Sequence, residues 1–181
     1  MASGQYTLKV AFSSGGESFG KLESPLNVDP YDGKMFMVSS LAICSSFHKV
    51  AEVEANMDAA LLEGRSPLVA MNFQFDPAGA NKFKTTDNVA VYLEVYDPKM
   101  LDEKPPGLQV QLKVTDRKGG SPKVDSGGVD VNNFVRKGNP VVPIISALPT
   151  GNLPVGAYRL EVTVMRQTGE PVVRTVDFGI Q

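Results

Sequence analysis

The sequence has no tryptophan, one cysteine and one histidine in 181 residues. A lone Cys44 excludes an intramolecular disulfide framework, and one thiol plus one imidazole is too small a donor set for a transition-metal centre. No apolar run approaches the roughly 20 residues that carry a helix across a bilayer, so no membrane insertion is expected. Formal net charge is −2, with basic and acidic residues interspersed, which offers nucleic acid no clustered basic face. Gly15-Gly16 and Gly119-Gly120 are not followed by a lysine-serine pair and a helix, so neither is a phosphate loop. What remains is ordinary globular material. At 42% hydrophobic and 21% charged residues the chain can build a core and is not expected to be disordered.

The strongest positive signal is period-two alternation, the mark of half-buried strands. Tyr6, Leu8, Val10 and Phe12 alternate with Thr7, Lys9 and Ala11. Val89, Val91, Leu93 and Val95 alternate in the same way, as do Leu108, Val110, Leu112 and Val114. Tyr158, Leu160, Val162 and Val164 follow, then Val176, Phe178 and Ile180. Between these runs sit Asp97-Pro98, Pro105-Pro106-Gly107, Gly119-Gly120 and Gly127-Gly128, which fix φ or permit positive φ. From residue 68 onward strands are expected at 68–75, 88–97, 107–116, 129–135, 140–147, 157–166 and 171–180, with a short one near 122–126. That spacing predicts an all-β, immunoglobulin-like antiparallel sandwich over 67–181.

One stretch departs from this pattern. Phe47, Val50, Val53, Met57 and Leu61 recur at three- and four-residue steps, with Ser46 placed as an N-cap and Gly64 as a C-terminal stop. An amphipathic helix over 47–63 is one reading, and a loose interdomain linker over 43–66 is the other.

The chain also contains a short internal repeat. Gly4-Gln5-Tyr6-Thr7-Leu8-Lys9-Val10 and Gly156-Ala157-Tyr158-Arg159-Leu160-Glu161-Val162 share the pattern G-x-Y-x-L-x-V. Each then passes through a glycine-containing turn into a second alternating stretch, ending in Leu26-Asn27-Val28 and Phe178-Gly179-Ile180. The second copy closes a full set of strands. The first, within 1–42, reads as the terminal hairpin of an earlier sandwich plus a following strand. A two-stranded hairpin is marginal in water by itself. Its apolar stripe is therefore expected to be buried by self-association, most simply in a two-fold dimer.

Leu153-Pro154-Val155-Gly156-Ala157-Tyr158 resembles the tyrosine-corner entry to the penultimate strand of immunoglobulin and fibronectin-type-III sandwiches. The resemblance implies that Tyr158 ties its strand to the preceding loop. A narrower resemblance follows the order of landmarks along the chain: Tyr6-Thr7-Leu8-Lys9-Val10-Ala11, Pro25-Leu26-Asn27-Val28, Met37-Val38-Ser39-Ser40-Leu41, Pro67-Leu68-Val69, Asp76-Pro77, Val91-Tyr92-Leu93-Glu94-Val95-Tyr96 and Val176-Asp177-Phe178. These are similar to the region after the von Willebrand A-like domain in the bacterial VWFA-related acidobacterial family. That resemblance implies a larger exported, extracytoplasmic parent and brings no activity with it. The D-x-S-x-S loop of a metal-dependent adhesion site does not occur in this sequence.

The candidate sites are few. Tyr92 and Tyr96 fall on the strand face opposite Val91 and Val95, where they either pack under a loop or a neighbouring segment, the preferred reading, or stand exposed and stack on a small glycan. Asn27, Asp29 and Asp32, and separately Asp125, Asp130, Asn132 and Asn133, sit in turns that offer oxygen ligands for calcium, but in neither EF-hand nor repeat-loop spacing. Such residues are also ordinary turn formers. Cys44 and His48, four apart, would share a helical face as nucleophile and base, although no oxyanion motif stands near them. The expectation is a non-catalytic interaction or structural module without metal or cofactor, with a protein partner or itself as ligand. Glycan binding by Tyr92 and Tyr96 is the alternative, and an enzyme built on Cys44 and His48 the remotest one.

Overall fold

The computed structural model describes residues 2–16, 18–50 and 68–181. In chain order the strands are β1 (Gly4–Ser13), β2 (Phe19–Val28), β3 (Met37–Val38), β4 (Ala42–Lys49), β5 (Val69–Ala70), β6 (Phe73–Pro77) and β7 (Lys82–Phe83). They continue as β8 (Val89–Tyr96), β9 (Leu108–Asp116), β10 (Val124–Asp125), β11 (Val129–Asp130), β12 (Val141–Leu148), β13 (Gly156–Arg166) and β14 (Val172–Ile180). Among the described residues, helical backbone is confined to three short 3₁₀ turns, at Pro98–Leu101, Asn132–Phe134 and Thr150–Asn152. The fold is all-β.

Two sheets form a sandwich. One has the order β12-β8-β4-β6-β5, with β3 also on β8; the other has the order β10-β9-β13-β14-β7, with β11 also on β9. Pairing is antiparallel except where β7 runs parallel to β14. The alternation seen in the sequence decides which side chains enter the core. Val89, Val91, Leu93 and Val95 of β8 meet Leu108, Val110, Leu112 and Val114 of β9 and Tyr158, Leu160, Val162 and Val164 of β13. Each fully buried aliphatic side chain among them contributes roughly 1.5–3 kcal/mol. On the other face of β9 and β13, Gln109, Arg159 and similar residues stay wet.

The first sheet is different, because β8 is covered on both faces. Cys44, Ala70, Phe75, Ala90 and Tyr92 form a second buried cluster on its outer side, joined by Ala42, Leu68 and Ile145. Tyr92 is thus packed against neighbouring segments and is not the open ring that the glycan-binding alternative needs.

The helix expected from Phe47 is also corrected. Ser46, Phe47, His48 and Lys49 are strand residues, paired with Asp76, Phe75, Gln74 and Phe73 of β6. The stretch 43–49, expected to open a linker, is instead a strand lying between β8 and β6. A bulge between Cys44 and Ser46 shifts the side-chain phase by one residue, which erased the strand period in the sequence. Of the expected helix, 51–63 lies outside the described residues. Met37 and Val38 pair with Tyr96 and Val95 of the sandwich. The hairpin β1–β2 forms a two-stranded sheet of its own.

Candidate functional site

Cys44 and His48 do not form a catalytic pair. The bulge leaves Cys44 fully buried, whereas the His48 ring is exposed and lies 3.4 Å from Asp76 through Nδ1. Burial, and secondarily the Asp76 charge, pushes the thiol up to about 11. A thiol held protonated at neutral pH is a poor nucleophile.

Tyr92 and Tyr96 do come together, but around a carboxylate. The Tyr92 hydroxyl donates to Glu94 Oε1 at 2.8 Å, and the Tyr96 hydroxyl donates to Glu94 Oε2. Burial, then the hydrogen bond to Glu94, raises the Tyr96 phenol well above its ordinary value. Tyr31 packs against Tyr96 with ring centroids 4.7 Å apart and the rings tilted by 43°. A groove of about 620 Å³ runs past Tyr92, Glu94, Tyr96 and Lys137. With Tyr92 only 2% exposed and one face of Tyr96 occupied, the pair does not present the open aromatic platform expected for a sugar.

The acidic turns are engaged in holding themselves. Asp125 Oδ1 accepts from Gln111 Nε2 at 2.7 Å and from the Gly127 N–H at 2.9 Å, and these bonds hold its carboxyl below the usual range. Asp130 accepts from the backbone and side-chain nitrogens of Asn132, each at 2.8 Å, while Asn132 Oδ1 accepts the Leu108 N–H. In the other cluster Asn27 Nδ2 donates to Asp29, and Asp32 Oδ1 caps the Lys34 N–H. Among the described residues no three carboxylate, imidazole or thiol groups converge on a metal position.

Two apolar features remain. Sequence reasoning missed the first, a groove of about 690 Å³ on the outer side of the first sheet, lined by Phe47, Phe73, Phe75, Ala90, Ile145 and Leu148. Phe47 reaches it because the bulge turns that residue outward over Phe75, with ring centroids 5.7 Å apart. The alternation of Phe73 and Phe75 was the one available signal. Polar groups at the rim are already engaged, with Thr150 Oγ1 donating to the Asp87 carbonyl and Asp87 Oδ2 accepting the Lys84 N–H.

The second is the hairpin. Its register puts Tyr6, Leu8, Val10 and Phe12 on one face with Leu22, Leu26 and Val28. Leu8 is 49% exposed and Phe12 64%, whereas Leu160 and Val164, at the matching places of β13, are 0% exposed. The two tyrosines make one and the same bond. Tyr158 donates to the Pro154 carbonyl at 2.7 Å and Tyr6 to the Ala2 carbonyl at 2.8 Å, each four residues back. A glycine stands two residues before each tyrosine, and the ring lies over it in both places, at van der Waals distance from where a Cβ would be. No family model, curated protein or solved structure matches the chain. The functional reading therefore rests on the molecule's own surfaces, and the most conspicuous of them is this uncovered apolar sheet face.

Proposed function

We propose that the chain is a non-catalytic β-sandwich module, immunoglobulin-like in type, that binds another protein through the apolar face of β1–β2. The carrying observation is the contrast between the two hairpins: the same pattern of side chains is buried in β13–β14 and solvent-exposed in β1–β2. A contiguous apolar face of this kind marks an interaction site, because leaving it in water forgoes roughly 1.5–3 kcal/mol for each large side chain. An exported bacterial parent is supported by the order of the sequence landmarks.

An apolar fluorescent dye tests the reading. The intact chain should enhance anilinonaphthalene sulfonate fluorescence. Leu8→Lys combined with Leu26→Lys should remove most of that signal without moving the sandwich's unfolding temperature. No enhancement by the intact chain, or one unchanged in the variant, would contradict the docking surface.

A further inference from the structure

We infer that β1–β2 is the closing hairpin of a second β-sandwich, and that its face and the free edge of β1 take an antiparallel sheet lacking its own last hairpin. This rests on the docking reading above and names the kind of partner.

The first support is register. One constant offset in residue number carries nine of the ten pairs of the β1–β2 ladder onto the nine pairs of the β13–β14 ladder. Gly4 with Val28 falls on Gly156 with Ile180, Tyr6 with Leu26 on Tyr158 with Phe178, and Phe12 with Gly20 on Val164 with Val172. No insertion or deletion intervenes, even across the turn. The tyrosine bond at the ladder's start is preserved as well.

The second support is what covers the later copy. Along the outer edge of β13, β9 pairs from Tyr158 with Asp116 to Arg166 with Leu108. Over its face lie Val91, Leu93 and Val95 of the opposite sheet, within one core. Along the outer edge of β1 no strand pairs, among the described residues, and its apolar face meets none. The opposite faces agree too, since Lys9 and Lys21 bridge to Glu23 there, as Arg159 does to Asp177. A hairpin with one dry and one wet face belongs in a two-layer sandwich.

A second copy of the hairpin does not complete it. Two hairpins face to face would cover each other's apolar stripes and leave the outer edge of each β1 without a ladder partner. Pairing two β1 edges would satisfy backbone groups and leave both faces wet. A sheet that supplies both an edge strand and a facing layer satisfies the β1 backbone and covers the face as well. The two-fold dimer expected from the sequence is the rival occupant, and sedimentation separates the two.

The inference is tested by a graft into the full chain, with residues 4–29 placed where 156–181 stand. Position for position the face differs most where Leu22 replaces Arg174 and Ser24 replaces Val176, because Arg174 reaches the Val38 and Ser39 carbonyls. A second graft therefore carries Leu22→Arg and Ser24→Val. At least one graft should show sheet-type circular dichroism and a single sigmoidal unfolding transition. If neither unfolds cooperatively, the equivalence is wrong, although the dye result above would still stand. Sedimentation of the unaltered chain supplies the other arm. A stable dimer abolished by Leu8→Lys would place a second copy on the face and overturn the inference; a monomer supports it.

Discussion

Tyr6 and Tyr158 make the same bond in different surroundings, and that difference sets what each is worth. Tyr158 is 2% exposed, so Tyr158→Phe leaves the Pro154 carbonyl without its partner and should cost about 1 kcal/mol in a urea titration. Tyr6 is 38% exposed, and water replaces the lost partner, so Tyr6→Phe should be close to neutral. Unchanged stability in the Tyr158 variant would count against the corner. The buried Asp97 carboxylate presents a higher stake. It accepts the Lys99 N–H and a bond from Arg166 Nη1 at 3.3 Å, while that guanidinium lies 4.6 Å from the Phe36 ring centroid. Arg166→Met strands the charge and should destabilise by about 3–5 kcal/mol; a loss below about 1 kcal/mol would show the pair to be dispensable. Cys44 gives a pH signature. The folded thiol holds its proton more tightly than an unfolded one, so its contribution is intact below about pH 9 and is lost as pH rises from about 9 to about 11. Cys44→Ala should flatten that alkaline limb, and equal limbs in the two proteins would refute the assignment. None of these partners was visible in the sequence except that of Tyr158, because a Leu-Pro-x-Gly-x-Tyr entry is local whereas Asp97 and Arg166 meet from distant strands.

At the scale of elements, alternation was a sufficient guide wherever a strand is regular and one face is wet. β9, β13 and β14 stand where Leu108–Val114, Tyr158–Val164 and Val176–Ile180 place them. β4 was illegible because its bulge at Ser45 shifts the side-chain phase within a strand of eight residues, while the three- and four-residue rhythm that starts at Phe47 runs on past Lys49 into residues outside those described. The 68–75 stretch was expected to be one strand and is two, since Met71 and Asn72 form a two-residue turn between Ala70 and Phe73. Both adopt left-handed φ, 53° and 64°, in the mirror-image turn that usually calls for Asn-Gly. Met71 carries no turn signal and is strained there. Met71→Gly should therefore stabilise by about 1 kcal/mol, seen as a higher unfolding midpoint; a lower midpoint would mean the side chain's contacts in the groove outweigh the strain.

At the scale of the molecule, the repeat was legible because seven consecutive positions share a pattern, while the fate of its first copy was not. Sequence shows that Tyr6, Leu8 and Val10 form a stripe, but only three-dimensional pairing shows that nothing described covers it. The parity of Tyr92 was legible in the same way, while the second core on that outer face was not, because its partners Phe75 and Ala70 come from other strands. One hairpin pattern is thus buried in β13–β14 and left open in β1–β2, where it offers a surface to a partner. Amide hydrogen exchange on the intact chain reads this directly, because protection follows the coverage and cooperativity of each element. Amides of β13 should be among the slowest in the chain, and β1 amides should exchange far faster although both hairpins share one register. Protection of β1 equal to that of β13 would mean that the chain already covers its own hairpin, and would contradict the account.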